Sequence, residues 1–142
     1  MIAFIDSSVV LRLLLGEPNK LTCLSDIKRA VVSDLLEIEC RRTIDRMRVT
    51  SRISDQEVES RLIGLIKILK SCERVGLSRA VLNRAQQAFP TTLGTLDALH
   101  LSTAILWAER ERVFPVILTH DQELGRAARS LGFDVLGDAS PK

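Results

Sequence analysis

Four carboxylates fall at places where acids can do chemistry. Asp6 and Asp121 each sit just past a short apolar run, in Asp6-Ser7-Ser8 and Thr119-His120-Asp121. Glu39 lies in a long helical stretch, and Asp97 opens another. Gathered in one cleft, unit charges about 4 Å apart repel by about 4 kcal/mol per pair at an effective dielectric of about 20. Such a cluster calls for a cation, and an all-oxygen set without Cys or His suits a hard divalent ion, Mg2+ or Mn2+. An ion of that kind acidifies a bound water and makes hydroxide available near neutral pH. Taken singly, each acid also has a plainer use. Asp6 and Asp121 fit helix N-caps, Asp97 fits the positive end of a helix dipole, and Glu39 fits an ion pair with Arg42 or Arg46.

The elements that must position these acids alternate between two periods. Strands are predicted at Ile2–Ile5, Ala30–Ser33, Glu73–Gly76, Pro115–Leu118 and Phe133–Leu136. Helices are predicted over Ser7–Leu15, Lys20–Ile27, Asp34–Val49, Ser78–Phe89, Leu96–Arg110 and Asp121–Leu131, with another opened by the capping box Ser54-Asp55-Gln56-Glu57. Strands separated by helices of this length pair in parallel and imply an α/β sandwich. In such sheets ligands bind outside the carboxyl ends of the strands, which is where Asp6 and Asp121 fall. Glu39 is placed by its helix. Leu36, Cys40, Thr43 and Met47 form the expected core stripe, and Glu39 lies about 60° from its centre, bordering the core.

Composition narrows the class. The 142 residues suit a single domain, read as 1–136 with a short tail at 137–142, and no run is apolar and long enough to span a bilayer. Asp6 and Arg12 interrupt the apolar opening, so no secretory leader is expected. Cys23, Cys40 and Cys72 are odd in number and unpaired in spacing, as for buried thiols in a reducing cytoplasm. Tyrosine is absent and aromatics make up 4%, too few for a base-stacking module. Neither a P-loop nor a dinucleotide-binding glycine motif occurs.

The segments F-I-D-S-S at 4–8, S-D-L-L-E-I-E-C-R-R at 33–42, T-L-D-A-L-H-L-S-T-A at 95–104 and T-H-D-Q-E-L at 119–124 resemble the four acidic motifs of PIN-domain ribonucleases. Their order and spacing are similar to those of the single-domain VapC-type toxins of type II toxin–antitoxin pairs. The resemblance runs from residue 2 to about 136 and covers the acidic set without a departure. It implies a three-layer sandwich around a five-stranded parallel sheet, with Asp6, Glu39, Asp97 and Asp121 as catalytic, metal-binding acids. In the second motif Glu37 and Glu39 both qualify, and the spacing from Ser33 with the helical wheel favours Glu39. Ser7 and Thr119 are implied as hydrogen-bonding supports. The resemblance further implies a cytoplasmic Mg2+- or Mn2+-dependent endoribonuclease that leaves 5′-phosphate and 3′-hydroxyl ends. It also implies a homodimer, or a heterotetramer and larger with a cognate antitoxin. Asp6 and Asp97 are then expected as direct ligands, with Glu39 and Asp121 acting partly through water.

RNA must approach this acid. The chain carries 15 Arg against 5 Lys, and setting the four acids aside leaves 20 basic against 14 acidic side chains, a balance of +6. Arg41, Arg42 and Arg46, continued by Arg48 and Arg52, form the basic run that suits RNA phosphate or an acidic antitoxin segment, or else a solvated helix face. Two further readings stand beside this one. His100 and His120 suggest a metal-free acid–base ribonuclease, set against a structural hydrogen bond for the first and a turn position for the second. A catalytically silent PIN-like module binding RNA or protein is the other.

Overall fold

The apolar tetrapeptide Ile2–Ile5 forms β1, the central strand of a five-stranded parallel sheet in the computed structural model, which describes residues 1–138. β2 (Arg29–Ser33) and β3 (Glu73–Val75) extend the sheet on one side, β4 (Val116–Leu118) and β5 (Val135–Leu136) on the other, in the order β3-β2-β1-β4-β5. The register sets Phe4 beside Val31 and Ile117. Strands covered on both faces are apolar runs instead of alternations, as Ile-Ala-Phe-Ile and Val-Ile-Leu show. The chain builds outward from β1 to β3 and then crosses back to β4. The carboxyl ends of β1 and β4 therefore flank the point where strand order reverses, the usual place for a ligand crevice.

Helices close both faces. α1 (Ser7–Leu14), α2 (Leu35–Val49) and α3 (Asp55–Lys70) bury Val9, Val10, Leu36, Cys40, Leu65 and Leu69 against Ala3, Ile5, Val32 and Leu118. α5 (Thr95–Glu111) and α6 (Gln122–Ser130) bury Leu101, Trp107, Leu124 and Ala128 against Phe4, Val31 and Ile117. Adjacent residues of β1, β2 and β4 thus feed opposite cores, because side chains alternate across a strand. Each large apolar side chain so buried contributes about 1.5–3 kcal/mol. Trp107 also donates its indole N–H to Glu73 at 2.9 Å, tying α5 to the edge strand. The Ser54 capping box opens α3 as expected.

Several local expectations change. The segment around 20–27 forms only a 3-10 turn, Thr22–Asp26, since five residues without a side-chain cap cannot offset helix nucleation. α4 is Arg79–Ala85 and does not reach Phe89, where Pro90 disfavours helical backbone in any case. Phe89 turns instead onto the core, with the Arg84 guanidinium 4.5 Å above its ring. β5 spans only Val135–Leu136, and Phe133, expected within it, packs into the core before the strand begins. On α2 the fully buried positions are Leu35, Leu36, Cys40 and Ile44, while Thr43 and Met47 are half-buried. Gly137 and Asp138, expected as tail, are held by contacts, and residues 139–142 lie outside the described part. Among the described residues no helix is long and apolar enough to cross a membrane.

Candidate active site

β1 delivers Asp6. Its amide prolongs the ladder by donating to Leu118 O at 3.0 Å, and its extended backbone makes it the N-cap of α1. Its Oδ2 accepts from the Ser8 hydroxyl at 2.6 Å, the Ser8 amide at 3.3 Å and the Thr119 hydroxyl at 2.9 Å. Among the described residues its Oδ1 meets Ser7 Oγ, at 3.4 Å, and His100 Nε2, at 3.6 Å. One oxygen is therefore saturated and the other left to the site. The carboxylate is buried, at 3% exposure, so the hydrogen bonds are what make its burial tolerable.

β4 delivers the second corner. Thr119 Oγ1 accepts the Asp121 amide at 3.0 Å while donating to Asp6, and Ser8 Oγ accepts the His120 amide at 2.9 Å. The turns after β1 and β4 are thereby stitched together. Asp121 caps α6 by accepting the Leu124 amide at 2.8 Å. Capping and site membership coexist in both aspartates, since the residue after a parallel strand is also the residue before a helix. Gly137 closes this corner. Its φ is +104°, and a Cβ there would lie 2.5 Å from Thr119 O; its own carbonyl accepts from His120 Nδ1 at 2.9 Å.

α2 and α5 supply the opposite wall. Glu39 Oε2 is hydrogen-bonded to His100 Nε2 of α5, and His100 is wholly buried. Glu37 turns away, accepting from Arg41 at 2.8 Å and from Arg74 at 2.7 Å, so the choice between the two glutamates falls to Glu39 by geometry. Donor atoms of Asp6, Glu39 and His100 lie within 4.8 Å of one another, the one such His/Cys/Asp/Glu group among the described residues. Asp97, one turn before His100 on α5, is partly exposed and has no hydrogen bond or ion pair among the described residues.

The charges of these groups act on each other. Asp97 is pushed up to about 6 by its burial and by Asp121, Asp6 and Glu39, with His100 pulling the other way. Burial alone would lower His100, yet its hydrogen bond to Glu39 and the charges of Asp6, Glu39 and Asp97 raise it. Cys40, buried behind Glu39, is pushed up to about 12 by desolvation and then by the charges of Glu39, Asp6 and Glu37, which leaves an inert thiol. An excess of acid that loads its own members with protons fits a divalent cation. The oxygen donors of Asp6 and Glu39, with Asp97 unengaged beside them, provide for one.

Of the four acids proposed from sequence, Asp6 and Glu39 come together at His100, while Asp97 and Asp121 lie outside that group, with Asp97 near enough to feel the charges of the other three. Ser7 lies at the site, but Ser8 makes the shorter contact to Asp6 and also holds the β4 turn, a role not foreseen. The expected structural hydrogen bond of His100 is present, and its partner, Glu39, is what sequence did not name. Of the basic run, Arg41 is tied to Glu37, and Arg42 and Arg48 share Asp45. Arg46 has no side-chain partner among the described residues. A groove of about 400 Å³ runs from Ser7 and Glu39 past Leu35, Ile38 and Leu96 to Arg42 and Arg46. A more apolar hollow of about 480 Å³, lined by Phe114 and Phe133, lies at the amino ends of β4 and β5, away from every acid of the site.

The PIN domain family model matches residues 3–130. The chain belongs to the PIN domain family. Solved structures share the fold of this PIN domain over nearly their whole length. FitAcB from Neisseria gonorrhoeae matches with a TM-score of 0.69 at 14% identity, covering 94% of this chain and 96% of that one. VapBC2 from Rickettsia felis, solved bound to a DNA fragment from its promoter, gives 0.62 at 18%, covering 95% and 97%. A toxin–antitoxin complex from Klebsiella pneumoniae gives 0.60 at 17%, covering 99% and 98%. No curated protein sequence matches.

Proposed function

We propose that this PIN domain is a VapC-type toxin, a divalent-metal-dependent endoribonuclease held in check by a cognate antitoxin. The observation that carries the reading is that Asp6 and Glu39, from separated segments, bring carboxylate oxygens together beside His100, with Asp97 raised to about 6 by its burial and then by the charges of Asp121, Asp6 and Glu39. The toxin–antitoxin assemblies among the structural neighbours support the antitoxin partner. A cytoplasmic location and a homodimer, or larger assembly with antitoxin, belong to the same reading.

Asp6, Asp97, Asp121 and Glu39 would hold Mg2+ or Mn2+. The bound ion would acidify a water and offset the charge gathering on the phosphorus. The chain's own residues do the placing. Ser8 and Thr119 fix Asp6 with its Oδ1 toward the site, and Ser7 lies beside that oxygen for contact with the scissile phosphate. Arg42 and Arg46 line the groove that leads away from Glu39 and offer positive charge to the flanking RNA backbone, with Arg41 on the same helix.

The test is incubation of the purified chain with total cellular RNA. Cleavage to 5′-phosphate ends with Mn2+ or Mg2+, abolished by chelator and by Asp6→Asn, is the expected result. Cyclic phosphate ends would indicate the histidine mechanism. Binding without cleavage under either ion would indicate the silent module.

A further inference from the structure

Each of the two acids that meet at His100 has one oxygen more heavily engaged than the other. For Asp6, Oδ2 takes three hydrogen bonds, while Oδ1 takes one long one, from the Ser7 hydroxyl at 3.4 Å, and lies 3.6 Å from His100 Nε2. For Glu39, Oε2 is taken by His100 Nε2, and Oε1 has no hydrogen bond among the described residues. We propose that His100 is a positioning residue of the metal centre: its Nε2–H grips Glu39 Oε2 and so presents Oε1 to the cation. This rests on the nuclease reading and goes beyond it, since the acidic set alone assigns His100 no part.

The ring has two possible roles here. Its Nε2 lies 3.6 Å from Asp6 Oδ1, so it falls among atoms near enough to share one ion. The other ring nitrogen decides between ligand and support. Nδ1 is buried and has no hydrogen-bond partner among the described residues. A neutral imidazole that gave Nε2 to a metal would carry its hydrogen on Nδ1. That would leave the ring's one N–H buried and without an acceptor among the described residues. With a hydrogen on Nε2, whether the ring is neutral or charged, it donates to Glu39 across the helices. The support role satisfies the donor and the ligand role does not.

Placement favours the same conclusion. His100 is one turn beyond Asp97 on α5, and side chains three apart share a helix face. The contact to Glu39 crosses from α5 to α2 and is the one side-chain hydrogen bond between those helices among the described residues. Glu39 is otherwise partly exposed, at 18%, and without this tether its flexible chain is free to swing toward the Arg42–Arg46 groove. Partners that orient metal-binding carboxylates in this way are typically worth 10- to 100-fold in metal affinity.

The experiment is Mn2+ titration of the full chain by electron paramagnetic resonance, with electron spin echo modulation on the loaded protein. His100→Leu is expected to raise the Mn2+ dissociation constant by about 10- to 100-fold. His100→Gln, which keeps an N–H donor, is expected to restore most of the affinity. Circular dichroism and melting temperature establish that each variant is folded. Should the Leu variant fail to fold, the comparison of Gln with the unmodified chain and the spin-echo spectrum still decide. Absence of nitrogen-14 modulation from histidine is the expected spectrum; strong modulation, removed by labelling histidine with nitrogen-15, would make His100 a ligand and overturn the proposal. Equal Mn2+ affinity in folded His100→Leu would also overturn it. If the unmodified chain neither binds Mn2+ nor cleaves RNA, the nuclease reading itself fails, an outcome distinct from both.

Discussion

The Thr119 hydroxyl donates to Asp6 Oδ2 at 2.9 Å and accepts the Asp121 amide at 3.0 Å, so one oxygen couples the ends of β1 and β4. Both bonds lie in a region where Thr119 is fully buried. Thr119→Val keeps the shape and removes both bonds, leaving a buried carboxylate oxygen and an amide short of a partner. A loss of about 1–3 kcal/mol is expected, seen as a lower midpoint in urea denaturation, while Thr119→Ser stays close to the unmodified protein. A Val variant as stable as the original would mean that the hydroxyl is not what holds Asp6.

Asp97 provides the opposite case, a residue whose charge is made unfavourable by burial and by its acidic neighbours. It is raised to about 6 by burial and by Asp121, Asp6 and Glu39. Asp97→Asn removes one party to that repulsion. Scanning fluorimetry in chelator should therefore show a higher melting temperature than for the unmodified chain, together with loss of RNA cleavage in Mn2+. A lower metal-free melting temperature in a folded variant would count against a shared acidic site. Excess Mn2+ should stabilise the unmodified chain by mass action and do much less for the variant.

The same residues set a pH dependence. Asp97 binds its proton more tightly folded than unfolded, so its contribution is complete below about pH 4 and is lost as pH rises through about 6. His100 is also raised, so its contribution is present below about 6.5 and lost above its folded value. Carboxylates lowered by arginine or capping contacts, such as Glu37 and Glu57, act only at more acid pH. In chelator, denaturant midpoints are accordingly expected to fall as pH rises from about 4 through 6, and further above about 6.5. With Mn2+ present the cation competes with these protons, and the slope flattens or reverses. A midpoint that rises with pH in chelator would contradict the assignment of either group.

How much of this was written in the sequence depends on the range of the interaction. Apolar runs, the Ser54 capping box and the acids at strand ends are local or one-dimensional signals, and they placed β1, α3, Asp6 and Asp121 correctly. Helix length failed at α4, which stops at Ala85, short of the Pro90 that the sequence offers as its end. The family resemblance points to Ser7, and nothing in the spacing separates it from Ser8, since both follow Asp6. Only the helical turn shows that the second serine bends back to Asp6 while receiving the His120 amide. Spacing put His100 on the Asp97 face of α5, but its partner Glu39 is 61 residues away, and no periodicity reports a contact across two helices.

Arg46 is the residue of the basic run on which RNA binding is expected to depend most. Arg41 is occupied by Glu37, and Arg42 and Arg48 divide Asp45 between them, so their charge is partly answered within α2. Arg46 lines the groove beside Glu39 with no such partner among the described residues. In an Asp6→Asn background, which prevents cleavage, Arg46→Ala should weaken binding of a short single-stranded RNA more than Arg41→Ala. It should also flatten the dependence of log affinity on log salt by about 0.7, the value for one single-strand phosphate contact. Because a phosphate contact carries no base information, the loss should be similar across RNA sequences. An Arg46→Ala variant with unchanged affinity and salt slope would leave the basic face of α2 as a solvated helix surface.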